Sequence, residues 1–102
     1  MITHVVLLRL KKDLSKKQVD QVFADLAALR GKIAGLESFA GGPYSSPEGL
    51  DRGYTHGFTM TFTDARARDL YLDHPEHVKV KEKVLGALDG GLDGVIAFDY
   101  AS

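Results

Sequence analysis

The sequence predicts an α+β domain in which one antiparallel sheet carries its helices on a single face. Three observations support this. Residues 3–10 and 55–62 alternate as strands do, the segments between and after them place apolar residues at helical spacing, and the closing run VIAFDY is apolar at nearly every position. One domain over residues 1–102 is expected, because a chain of 102 residues is of one-domain length and contains no repeat, linker or low-complexity stretch.

The first strand, residues 3–10, sets His4, Val6, Leu8 and Leu10 on one face and Val5, Leu7 and Arg9 on the other. Apolar residues on both sides near its centre mark it as a central strand. Ser15 followed by Gln18 has capping-box form, and Val19, Val22, Phe23, Leu26, Leu29 and Ile33 then recur at helical spacing as far as Gly35. Residues 36–40 read as a short second strand. The stretch GGPYSSPEGLDRGY, with four glycines and two prolines, reads as irregular loop. In the third strand, residues 55–62, His56, Phe58, Met60 and Phe62 lie against Thr55, Gly57, Thr59 and Thr61. Thr63 or Asp64 caps a short second helix through Leu72, and Pro75 opens a third at its favoured first position. Residues 95–100 form the last strand.

The resulting order, β-α-β-β-α-α-β, resembles the split β-α-β, ferredoxin-like arrangement. That arrangement leaves one sheet face bare. Val5, Leu7, Ile96, Phe98 and Tyr100 fall on it, a contiguous apolar surface that a second copy would cover in a symmetric homodimer.

Composition narrows the function classes. Thirteen Lys plus Arg against fourteen Asp plus Glu give a formal charge of −1, so no basic field gathers nucleic acid or anionic lipid. The absence of Cys removes disulfides, thiolate nucleophiles and Cys-ligated metals. The opening MITHVVLLRL has no basic leader before its apolar run and is far too short to span a bilayer, which points to a cytoplasmic protein.

Chemistry concentrates at YLDHPEHV, residues 71–78. His77 shares a helical stripe with Val80, Val84 and Leu88 and therefore points at the sheet. It lies in the first turn of its helix, where the dipole and unpaired N–H groups disfavour an imidazolium, so the neutral form that a general base needs is expected. Tyr71 packs inward with a hydroxyl in search of a partner. His4 and His56 lie on the inner faces of their strands, so three histidines and a tyrosine are expected to converge beside Val6, Leu8, Phe23 and Phe58. His74, before Pro75, reads as a helix cap. Three imidazoles can hold zinc, but these come from three separate elements with no carboxylate evident to orient them, and no metal is predicted.

Taken together, HVVLLRL, SPEGLDRGYTHGFTMTF, YLDHPEHV and FDY are similar to the stress-responsive dimeric A/B barrel family, known as Dabb, over nearly the whole chain. The resemblance implies a ferredoxin-like subunit that pairs its sheet with a twofold mate, and a long loop that packs near that interface. Enzymatic relatives in the family include plant polyketide cyclases, which close a polyketide chain by aldol chemistry without metal or organic cofactor. The positions matching their histidine base and its tyrosine are His77 and Tyr71, and His4 and His56 match further cavity histidines. A small apolar or aromatic ligand follows from this. Ala24, Ala27 and Ala97 depart from the bulkier lining of the cyclases. A non-catalytic structural or ligand-binding role is the alternative, as is the monooxygenase or haem chemistry of the wider superfamily, which the absence of Trp disfavours.

Overall fold

A computed structural model describes residues 1–102. The strands are β1 (Ile2–Leu8), β2 (Leu36–Pro43), β3 (His56–Phe62) and β4 (Val95–Ala101). The helices are α1 (Lys16–Ala28), α2 (Ala65–Leu72) and α3 (Pro75–Ala87), with 3-10 turns at Leu29–Gly31 and Gly91–Gly94. The four strands form one antiparallel sheet in the order β2-β3-β1-β4, the ferredoxin-like arrangement. No helix is long and apolar enough to cross a membrane.

Each helix starts where its side chains can satisfy the first free N–H groups. Ser15 Oγ accepts from the Gln18 amide at 3.1 Å, and Gln18 Oε1 accepts in return from the Ser15 amide at 2.8 Å. At α2 the cap is Asp64, whose carboxylate accepts from the Ala67 amide at 2.8 Å. Thr63 instead donates its hydroxyl to Glu37 at 2.7 Å. His74 caps α3, its Nδ1 accepting from the Glu76 amide at 3.1 Å just before Pro75 at the first position.

Two boundaries differ from those expected. The first helix stops at Ala28 rather than near Gly35, and the chain turns at Gly35 with φ +86°. A Cβ there would stand 2.6 Å from that of Ala67 on α2, so the turn passes directly against that helix. The second strand runs on through Gly41, Gly42 and Pro43, residues whose composition reads as loop. A proline and glycines are tolerated there because β2 is an edge strand, and Gly41 is needed because a Cβ there would meet the Phe58 Cβ at 2.7 Å and the Gly57 carbonyl oxygen at 2.8 Å. The loop beyond β2 folds on itself. The Tyr44 hydroxyl accepts from the Gly49 amide at 2.9 Å, and the Arg9 guanidinium sits over the Tyr54 ring at 5.8 Å.

The core fills the space between the helices and the inner sheet face. Ile2, Val6, Leu8, Phe58, Met60 and Phe62 come from the sheet, and Leu26, Leu29, Tyr71, Val80 and Leu88 from the helical side. The outer face has no cover. There Val5 stands opposite Phe98 and Leu7 opposite Ile96, and Phe98 is 65 % exposed.

Candidate functional site

A half-open cavity of about 220 Å³ runs along β1 from His4 to Leu8, beneath α3. Val6, Leu8 and Phe58 line it from β1 and β3, Val95 and Ala97 from β4, Leu26 from α1, and Val84, Leu85 and Leu88 from the helical side. His4, Tyr71 and His77 supply its polar end, and the exposed Leu72, Lys81 and Leu92 stand at its rim. The volume lies below the usual range for drug-sized ligands, which restricts the occupant to a small molecule.

His77 is the third residue of α3, and its ring stacks on Tyr71 with centroids 4.0 Å apart. Its Nδ1 lies 3.1 Å from the Leu72 carbonyl. A carbonyl only accepts, so Nδ1 carries the proton and Nε2 keeps the lone pair. Burial lowers the pKa of His77, and the Lys81 and His4 charges add to this, outweighing the opposite pull of the backbone carbonyls. The ring is therefore a neutral base near pH 7. Tyr71 moves the other way, burial and then the Asp99 charge raising its pKa and keeping the phenol protonated. Its hydroxyl has no hydrogen-bond partner in the chain. No sealed side-chain polar atom is left unpaired, so this hydroxyl opens onto the cavity.

His4 is held by two residues that the sequence reading did not single out. Its Nδ1 lies 2.5 Å from Asp99 Oδ1, across the β1–β4 pairing that sets residue 4 opposite residue 99. Arg68 of α2 donates to the other oxygen of Asp99 at 2.8 Å. Desolvation pushes the Asp99 pKa up, but the hydrogen bonds from Arg68 and His4 outweigh it and hold the carboxylate ionised. An orienting carboxylate is thus present for His4, with its imidazole ringed by Phe58, Phe62 and Tyr71 at 6.0–6.3 Å between centroids. A sequence signal for this existed: Asp99 is the single charged residue in the run VIAFDY.

His56 and Phe23 do not join this group. His56 stands opposite Leu8, at the other end of β1 from His4, and on the side of β3 that α1 covers. There its ring packs 5.6 Å from Phe23, and its Nδ1 pairs with the Thr55 hydroxyl at 2.9 Å. Strand alternation gives both histidines the same face, but antiparallel pairing separates them along it. The expected convergence of three histidines is therefore reduced to His4 and His77 with Tyr71. No three His, Cys, Asp or Glu side chains cluster as metal ligands do.

The model of the stress-responsive A/B barrel domain matches residues 2–102. A dimeric ferredoxin-like protein of unknown function from Jannaschia sp. CCS1 is 29 % identical, with a TM-score of 0.88 over 99 % of this chain and 98 % of that one. The hydroxynitrile lyase of Passiflora edulis is 25 % identical, with a TM-score of 0.84 over 97 % of this chain and 90 % of its own. The olivetolic acid cyclase of Cannabis sativa is 25 % identical over 77 residues, 76 % of each chain.

Proposed function

The chain belongs to the stress-responsive A/B barrel family, and on that premise we propose that it is a homodimer whose cavity takes a small carbonyl compound and moves a proton on it without a cofactor. The observation that carries this is the pairing of a free Nε2 on a neutral His77 with a protonated Tyr71 hydroxyl at one end of an apolar cavity. The Tyr71 hydroxyl donates to the carbonyl oxygen, and His77 Nε2 removes a proton from the adjacent carbon. An enolate then forms against largely apolar walls, beside the Tyr71 hydroxyl that stabilises its oxygen. Asp99 accepts the Nδ1 proton of His4 and fixes the orientation of its ring at the polar end of the cavity.

Relatives of this size that carry the names lyase and cyclase support a carbonyl or carbonyl-forming reaction. The dimer rests on the bare outer face and on the dimeric description of the Jannaschia protein.

The test is hydrogen–deuterium exchange at the acidic carbon of heptane-2,4-dione, followed by NMR. The wild type is expected to accelerate exchange over buffer, and His77→Gln to lose about 10²-fold of that acceleration or more. Tyr71→Phe is expected to lose less and to retain the fold. A wild type that leaves the exchange rate at its buffer value, yet gains thermal stability from the dione, leaves a ligand-binding protein and removes catalysis.

A further inference from the structure

The cavity carries one ammonium group at its rim, and nothing in the chain pairs with it. Lys79 and Lys83 of the same helix reach Glu76 and Asp25. Lys81 has no carboxylate partner, although it lines the cavity together with His77. The two side chains are four residues apart and so project from the same helical face, separated by one turn, about 6 Å along the axis. Every other polar group of the lining is an imidazole or a phenol. An exposed lysine anywhere else would be ordinary, but at the mouth of an otherwise apolar cavity it is the one group that can discriminate charge. The overall charge of −1 gives the protein no general attraction for anions, so any such preference must be local.

We infer that the occupant of the cavity carries a carboxylate, seated at Lys81, with its carbonyl about one helical turn away at Tyr71 and His77. The substrate class is thus an oxo acid rather than a neutral ketone. This deepens the reading of the same cavity given above and rests on it. Seating a carboxylate at the rim fixes which carbonyl carbon faces Nε2, a positional choice that the smooth apolar walls cannot make by themselves. It also offsets one of the charges that hold down the proton affinity of His77.

The probes are 5-oxooctanoate and its methyl ester, compared by isothermal titration with the wild type, Lys81→Met and Lys83→Met. The wild type is expected to bind the acid about tenfold more tightly than the ester, with a preference that shrinks as salt is raised, since the rim is exposed. Lys81→Met is expected to abolish that preference while leaving ester affinity unchanged. Lys83→Met, whose ammonium lies off the cavity, is expected to keep it. Equal binding of acid and ester by the wild type, or a preference that survives in Lys81→Met, overturns the inference and leaves the cavity reading intact. Binding of neither probe overturns both.

Discussion

The inner face of the sheet has two halves, built from the same alternation and ending in different states. Under α1, the β2–β3 half is filled: Phe23, Phe39, Phe58 and His56 stand with neighbouring centroids 5.6–6.5 Å apart, and the Phe23 ring takes the space a Gly41 side chain would need. Under α3, the β1–β4 half holds the cavity, where Ala97 of β4 presents only a methyl group beside Val6. Each half holds a histidine from the inner face. His56 has aromatic rings and a neighbouring hydroxyl for company. His4 has a carboxylate, an arginine behind it, and open space beside it. What separates a packed histidine from a candidate functional one here is the charge on the adjacent strand and the open space beside the ring, since both rings share a face of the sheet.

The largest expected effect comes from enlarging one side chain in each half. In the filled half, a Cβ on Gly41 would stand 2.7 Å from the Phe58 Cβ and 2.8 Å from the Gly57 carbonyl oxygen, neither of which can rotate away. Gly41→Ala is expected to cost about 3 kcal/mol, near the top of the range for overpacking. In the open half, Ala97→Leu grows into the cavity. It is expected to change stability by less than about 1 kcal/mol while shrinking the space for a ligand. Urea denaturation of both variants, with a titration of the second, checks the contrast. Equal costs would mean that the open half is as tightly filled as the other.

Removing the charge behind His4 should have a smaller effect. In Asp99→Asn an NH2 group must face either the Arg68 guanidinium or the His4 Nδ1–H, so one donor in that chain loses its acceptor. The expected loss is about 1–2 kcal/mol, measured by urea denaturation. A functional role for this pair also predicts weaker ligand binding, whereas Asp99→Asn with unchanged affinity would make the His4–Asp99 contact a fold element like His56.

The contrast also explains how much could be read from the chain. Strand alternation, helical spacing and capping chemistry are local, and they give the element order, the capping box at Ser15, the cap at His74 and the inward face of His4, His56 and His77. Lateral position across a sheet is set by which strands pair and in what register. No local pattern encodes that, so alternation alone places His56 with His4 and carries no mark of the Asp99–Arg68 pair. The extension of β2 through two glycines is hidden for a related reason: the Cβ of Phe58 and the carbonyl of Gly57 on the paired strand, more than a dozen residues away in sequence, are what require a missing side chain at Gly41.

The smallest expected effect sharpens the comparison most. His56→Leu removes one hydrogen bond to Thr55, but the Thr55 hydroxyl still accepts from the Leu10 amide at 3.1 Å and donates to the Leu8 carbonyl, so no buried group is orphaned. Stability near pH 7 should change by about 1 kcal/mol or less. Ligand affinity should not change, because the ring lies outside the cavity. The pH dependence is expected to differ. Burial lowers the pKa of both His56 and His77 below the ordinary 6.5, so the unfolded chain binds more protons than the folded one as pH falls through and below that value. Stability therefore drops on acidification from pH 7 toward 5, and His56→Leu should make that drop shallower by removing one of the two contributors. Thermal denaturation across that range checks the slope. A His56→Leu variant with the wild-type slope would mean that His56 titrates alike in both states, and one that lost ligand affinity would place His56 back beside His4 and His77.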